Sequence, residues 1–336
     1  MVVFYQKISK MPKLHGQVCI VTGASRGIGK GIALQLVECG ATCYITGRNI
    51  ETLQSVGKEC EARHCEGKLI PVECDHGKDE EVTQLFARVE AEQCGRLDLL
   101  VNNAFQAVNL ITENTTKYFW DLDPFQTWDE INNVGLRNNY ICATLATRLM
   151  VPKRKGLIIN IGSFGGLTYL VNPVYGIGKC GNDRMASDCS VELKDKNVAF
   201  LSLWPSAVRT ELMMQYMQKL EAENHPDFQK TKWIVDHGES PEYVGKCVSH
   251  LLVDKNIMKD TGKILLSCDL ASKYNFVDVD GSTPISPKSF KMMAVGADQL
   301  WLTKFIPSWL RVPTWLFKWL LQLATVVQIK DKSKYE

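Results

Sequence analysis

A tyrosine and a lysine four residues apart, in the stretch YGIGK at 175–179, are the side chains of this chain best suited to moving a proton. A free phenol titrates near ~10, so at neutral pH it neither gives nor takes a proton readily unless a cation stabilises the phenolate. Lys179 supplies that cation if the stretch is helical, because residues four apart share a helix face. Ser163, which ends an apolar run twelve residues before the tyrosine, is placed to hydrogen-bond a substrate oxygen. A pair at this spacing also arises by chance in a chain with 10 tyrosines, so its meaning rests on its surroundings.

Those surroundings are an alternation of β-rich runs and helical stretches: VCIVT, GIALQLVECG, TCYIT, a charged helix to His64, LIPVEC, EVTQLFARVEAEQ and LDLLVNNA. GLIINIGS, VAFLSLWP and GKILLSC continue it, each of the first two followed by a helical stretch. This order predicts an α/β fold, a doubly wound Rossmann-type parallel sheet of about seven strands with helices on both faces. The fold is expected to occupy 17–268, after an N-terminal arm at 1–16 and before a C-terminal extension at 269–336.

The stretch VTGASRGIGKGIALQL follows the first strand and opens the first helix. Its glycines sit where a backbone turns sharply and approaches a ligand. A side chain at Gly23 or Gly29 is expected to block that approach, and the helix amides beyond face the ligand's negative charge. The second strand ends YITGRN, with no acid to hold a ribose hydroxyl. Arg48 stands there instead and Arg26 lies in the glycine turn, two guanidiniums that favour a 2′-phosphate and hence NADP(H).

Glycines at 23, 27 and 29, NNA at 102–104, Ser163, the Tyr175 and Lys179 pair and WPSAVRT after the sixth strand together resemble the short-chain dehydrogenase/reductase family. The resemblance covers about 17–268. It implies that NADPH delivers hydride to a carbonyl carbon, that Tyr175 donates the proton, that Ser163 orients and polarises the oxygen, and that Lys179 reaches both the tyrosine and the nicotinamide ribose. It assigns Gly23, Ser25, Arg26, Gly27, Ile28, Gly29, Arg48, Asp75, Asn102, Val208 and Thr210 to the cofactor alongside Tyr175 and Lys179, with Asp75 on the adenine. Members are commonly dimers or tetramers, so a homo-oligomer is expected.

Three positions depart from the family pattern. Phe105 follows NNA where a glycine is usual, Ser206 follows Pro205 where a glycine is usual, and Gly135 stands where the family carries an asparagine that helps hold a water in the relay to the lysine. Asn132, Asn138 and Asn139 lie near the same helix face and are candidates to substitute. The activity expected is reduction of an apolar ketone or aldehyde, or oxidation of a secondary alcohol. The alternative is a nucleotide-binding scaffold with weak turnover or none.

Composition narrows the partners. Lys+Arg 39 against Asp+Glu 37 leaves a formal charge of +2, with no field to draw the chain to nucleic acid. The 12 cysteines are scattered singly without a CxxC pair, which points to a reducing compartment and to no metal site. The Met-rich stretch ELMMQYMQKL and the aromatics Tyr118, Phe119 and Trp120 suggest an adaptable apolar substrate pocket. NTT at 114–116 is formally a glycosylation acceptor, expected to be unused in such a compartment.

The extension interleaves Trp301, Trp309, Trp315 and Trp319 with Lys304, Arg311 and Lys318, and Lys330, Lys332 and Lys334 follow. Tryptophan and basic residues favour the headgroup zone of a membrane. Pro307 and Pro313 interrupt the segment, and the apolar stretch Thr314–Ile329 spans roughly 24 Å as helix against a core of about 30 Å. The extension therefore reads as a surface anchor on the cytoplasmic face of an intracellular membrane, most readily the endoplasmic reticulum. The alternatives are a soluble cytoplasmic protein and a tail folded over the enzyme's own pocket.

Overall fold

The structure, a computed structural model, describes residues 10–114 and 117–330, without the side chains of 325–330. The first nine residues of the arm, Thr115 and Thr116 of the glycosylation acceptor, and Lys332 and Lys334 of the basic end lie outside it.

Seven strands form one sheet: β1 (Val18–Val21), β2 (Thr42–Gly47), β3 (Lys68–Glu73), β4 (Leu99–Asn102), β5 (Gly156–Ile161), β6 (Val198–Trp204) and β7 (Ile264–Leu266). All neighbours pair in parallel, in the order β3-β2-β1-β4-β5-β6-β7. Successive strand residues face opposite sides, so each strand feeds two cores. Cys19 and Val21 of β1 join one with Leu157 and Ile159 of β5, and Val18 and Ile20 join the other with Ile158.

The helices divide accordingly. Helices α1 (Gly27–Glu38) and α2 (Ile50–Ala62) cover the first face, with the later Pro241–Val253 and Ser267–Tyr274 helices. Helix α3 (Asp79–Glu92) covers the second. After β4 come α4 (Val108–Glu113), α5 (Pro124–Asn132) and α6 (Asn138–Lys153), and α7 (Pro173–Leu193) follows β5. Helices α6 and α7 complete the second face. Beyond β6 lie α8 (Glu211–Ala222), α9 (Phe228–Asp236), α10 (Pro241–Val253), α11 (Ser267–Tyr274), α12 (Phe290–Gly296) and α13 (Thr314–Lys330).

Two margins are broader than the sequence pattern suggested. Leu14 is fully buried and its N–H bonds the Cys39 carbonyl at 2.6 Å, so the end of the arm belongs to the core. Leu270, Ala271 and Phe276 belong to the same core beyond residue 268. Between β4 and α5 stands the short helix α4.

The C-terminal extension packs on the catalytic domain with one face. Val312 and Phe317 join Trp204, Leu266 and Cys268 in a third apolar cluster, against which Phe164, Leu167, Leu316 and Leu321 also pack. Polar contacts tie α13 to α11: Thr314 Oγ1 donates to Asp269 Oδ2 at 3.2 Å and accepts from Lys288 Nζ at 2.9 Å. Among the described residues, no helix is long and apolar enough to cross a membrane.

Candidate active site

A parallel sheet gathers the loops after its strands at one edge, and ligands bind there, where the strand order reverses. In this sheet the reversal falls between β1 and β4. The glycine turn, Arg48, Asp75, Asn102, Ser163, Val208 and Thr210 all lie at or just beyond the carboxyl ends of strands, and only Tyr175 and Lys179 come from a helix, α7.

The glycine turn is shaped by its own packing. Gly23 has φ +63, and a Cβ there would lie 2.7 Å from Ala104 Cα; a Cβ on Gly29 would lie 2.4 Å from Asn103 Nδ2 and 2.5 Å from the Gly23 carbonyl oxygen. A side chain at either position would thus collide with the chain itself. Asn103 acts as the brace, donating from Nδ2 to the carbonyls of Thr22 and Gly23 at 2.8 and 2.9 Å. Its place in NNA was visible in the sequence, but its partner was not.

An anionic group already stands at the amino end of α1. Glu211 Oε2 accepts the Gly27 N–H at 2.9 Å, and the first turn of α1 carries no acidic residue of its own. Helix amides that accept a carboxylate accept a phosphate oxygen for the same reason. Arg26 and Arg48 are exposed, and among the described residues neither makes an ion pair. These residues fit a phosphate-bearing dinucleotide: a glycine turn that admits no side chain, an anion-accepting helix end and two unpaired guanidiniums. Ser25 and Ile28 lie partly buried in the turn.

Other assigned residues sit around that end. Asp75 is half-buried, and its Oδ1 accepts the Gly77 N–H at 2.9 Å. Val208 bridges Glu239 through its backbone, and Thr210 caps α8 by accepting the Met213 N–H at 3.2 Å. Thr210 also packs on the turn, its Cγ2 3.4 Å from where a Cβ of Gly27 would stand. Asn102 is placed differently from the expectation. Its side chain is 1% exposed and donates to the Asn139 carbonyl at 3.1 Å and to Asn160 Oδ1 at 2.9 Å, so its amide is committed to the interior.

Asn102 belongs to a buried amide network that sequence spacing did not show. Asn139 Nδ2 donates to Asn182 Oδ1 and to the Gly135 carbonyl, both at 2.8 Å, and Asn182 Nδ2 donates to the same carbonyl at 2.6 Å. Asn138 Oδ1 accepts the Gly135 N–H at 2.6 Å, and Asn132 donates to the Val174 carbonyl at 3.4 Å. The three asparagines considered as relay substitutes thus surround the π-type turn at Asn133–Arg137, Asn132 and Asn139 tying α5 and α6 to α7, while Asn132 Oδ1, Asn138 Nδ2 and Asn139 Oδ1 remain buried without a partner among the described residues.

The proposed proton-transfer residues do converge. Asn172 caps α7 by accepting the Tyr175 N–H at 2.8 Å, and Pro173 sits at the first position, which fixes where the helix starts. Tyr175 and Lys179 then share a face, with Lys179 Nζ 5.8 Å from the tyrosine ring centre. Ser163 hydrogen-bonds Tyr175 through its side chain, and its Oγ also accepts the Gly165 N–H at 3.1 Å. Lys179 Nζ donates to the Ile161 carbonyl at 3.1 Å.

Burial sets the electrostatics here. It pushes the Tyr175 phenol above its usual range, against the Ser163 contact, so the phenol keeps its proton at neutral pH. It pushes Lys179 down to about 8, against the attraction of Asp183 one turn along α7. Asp183 is itself pushed up to about 6 by burial, against the bonds it accepts from Ser202 Oγ at 2.6 Å and Trp204 Nε1 at 2.9 Å. The arrangement can hold a substrate oxygen between Ser163 and Tyr175 and deliver a proton to it, with a cation behind the phenol.

Comparison with known proteins agrees with this geometry. The short chain dehydrogenase family profile matches residues 17–221. The mouse and human proteins called dehydrogenase/reductase SDR family member 1 are each 47% identical to the chain, over 90% of it and 96% of their own length. A metagenomic short-chain oxidoreductase solved in complex with NADP superimposes with a TM-score of 0.58 at 25% identity, covering 75% of this chain and 97% of its own. With the sheet order, the glycine turn and the serine, tyrosine and lysine brought together, the chain belongs to the short-chain dehydrogenase/reductase family of oxidoreductases.

Proposed function

We propose that the protein is an NADPH-dependent carbonyl reductase, or an alcohol dehydrogenase in reverse, acting on an apolar ketone, aldehyde or secondary alcohol. The observation that carries this reading is the convergence of Ser163, Tyr175 and Lys179 beside an anion-accepting helix end. Gly23, Ser25, Gly27, Ile28 and Gly29 would admit the dinucleotide backbone. Arg26 and Arg48 would pair a 2′-phosphate, Asp75 would face the adenine, and Val208 and Thr210 the nicotinamide end. The cofactor supplies hydride to the carbonyl carbon. Ser163 holds the carbonyl oxygen, Tyr175 donates its proton to it as negative charge develops, and Lys179 stabilises the resulting phenolate.

An apolar substrate is favoured by α8, where Leu220 is the only buried residue and Leu212, Met213, Met214, Tyr216 and Met217 are left partly or fully open. Such side chains line a pocket that adapts to shape. The test is NADPH oxidation with a panel of apolar carbonyls, comparing the parent with Tyr175→Phe. Loss of turnover with cofactor binding retained is expected, and a Tyr175→Phe variant as fast as the parent would overturn the assignment.

The extension supports a membrane-surface reading on its outer face. Trp301, Phe305, Trp309, Trp315 and Trp319 are all exposed, Trp309 and Phe305 at 75%, while Phe317 on the opposite face of α13 is buried. Aromatic rings in that position suit the headgroup zone, as an anchor lying on the cytoplasmic face of the endoplasmic reticulum. A homo-oligomer is favoured by Tyr140, Ile177 and Val191, which are exposed on α6 and α7. Fractionation of cells expressing the full chain or a truncation ending near Ala294 tests the anchor. Release of the truncated form to the supernatant is expected, and identical distribution would remove it.

A further inference from the structure

Two of the departures from the family pattern, Phe105 and Gly135, are thirty positions apart in the chain and in contact in the fold. Gly135 has φ +148, inside the π-type turn, and a Cβ there would lie 2.8 Å from Phe105 Cδ2 and 3.3 Å from Cε2. The space beside position 135 is thus filled by the Phe105 ring. The backbone of Gly135 is equally occupied, since its carbonyl accepts from both Asn139 and Asn182 and its N–H is donated to Asn138. With both lone pairs of that carbonyl used, neither its backbone nor a side chain offers Lys179 a partner.

The ring that fills the space reaches the reacting side chains. Phe105 meets Tyr175 edge to face, with centres 6.1 Å apart and planes at 76°. Lys179 Nζ lies 5.3 Å from the centre of the Phe105 ring. An ammonium within about 6 Å of a ring centre is attracted to its negative face, and the attraction grows where water is excluded.

We propose that Phe105 is a positioning residue for Lys179, its ring face holding the ammonium beside Tyr175 in the place that the family gives to an asparagine and its water. The two departures are then one exchange, a hydrogen-bonded relay replaced by an aromatic wall. This rests on the reductase reading for its catalytic consequence and on packing alone for its structural one. The groups around the ammonium are the Ile161 carbonyl from β5, Tyr175 and Asp183 from α7, and Ser163 through Tyr175, while Lys318 of α13 acts on Asp183.

Phe105→Leu keeps the apolar bulk and removes the face, and Phe105→Tyr keeps both. In the leucine variant the ammonium loses a favourable partner while the apolar bulk beside it stays, so Lys179 holds its proton only to lower pH. The alkaline limb of kcat should move down by about half to one pH unit, the shift expected for a partly buried contact of this kind. The tyrosine variant should restore it, and the Kd for NADPH, measured by fluorescence, should stay within about twofold of the parent. A substrate-free readout is the pH dependence of Lys179 acetylation by acetic anhydride, resolved by peptide mass spectrometry, whose midpoint should fall likewise. If no carbonyl is turned over by the parent yet this midpoint shifts, the functional reading fails and the positioning role stands.

The packing half is read by a double-mutant cycle in urea. Gly135→Ala alone meets both its positive φ and Phe105, whereas in a Phe105→Ala background it meets the φ alone, so its loss of midpoint should be smaller there. Leucine and parent sharing one acetylation profile, or equal losses in both arms of the cycle, would overturn the proposal.

Discussion

Replacing Glu211 by alanine should weaken the free protein and strengthen its grip on NADPH. The carboxylate of Glu211 accepts the Gly27 N–H at 2.9 Å, at the amino end of a twelve-residue helix whose N-cap, Arg26, provides no side-chain cap. An anion there is worth about 1 kcal/mol at an exposed position, and its loss should lower the melting temperature by roughly 2 °C in a chain of this size. The same helix end is where the cofactor's phosphates would bind, so the parent must displace or tolerate a like charge that the variant lacks. Removing that competition of about 1 kcal/mol should lower the Kd for NADPH by about fivefold. Because bound cofactor adds stability in proportion to RT ln(1 + [L]/Kd), the melting deficit should close at saturating NADPH. Calorimetric titration and melting curves at several cofactor concentrations measure both halves. Glu211→Gln should lie between parent and alanine, and the gain should shrink in high salt. An alanine variant that melts lower and binds NADPH no better would show that the carboxylate is a simple cap, away from the cofactor's place.

Arg48→Ala should weaken NADPH by about tenfold to a hundredfold while leaving NADH nearly unchanged, since only the former carries a phosphate for the guanidinium; equal weakening in paired titrations would discard that contact. Asn139→Ala should cost about 1–3 kcal/mol in urea unfolding, because Asn182 Oδ1 loses a buried donor; a loss below about 0.5 kcal/mol would remove the amide network from the account of stability. Glu239 is fully buried, and burial pushes its carboxyl up to about 8, against a bond from Ser267. Between about 4.5 and 8 the folded state therefore holds a proton that the unfolded state has released, so this group's contribution to stability falls as pH rises through that window. Glu239→Gln should flatten the slope, and an unchanged pH dependence of the unfolding midpoint would contradict it.

Much of this protein follows from local rules. Strand, glycine turn and helix recur in an order that only a parallel sheet accommodates, and the spacing of Tyr175 and Lys179 places them on one face of any helix. The structure keeps both, because backbone geometry and side-chain periodicity are set within a few residues. The absence of an acid after β2 is equally local, and Arg48 lies beyond that strand as its position required.

What local rules could not reach are contacts between elements distant in the chain. Asn102 and Asn103 are adjacent and alike, yet one amide turns into the sheet toward Asn160 and the other braces the glycine turn; which does which depends on the strand's alternation against partners up to 81 residues away. Glu211 meets Gly27 across 184 residues, and Phe105 meets Gly135 only because β4 and the π-type turn end at the same edge. The extension read as an amphipathic anchor, but that Phe317 would bury against Trp204 and beside the turn after Ser163 was decided by where β6 and β7 leave the sheet. Periodicity assigns a residue to a face. Its partner on that face, and hence its chemistry, is settled only when the elements pack, because burial and neighbouring charge are properties of the assembled site.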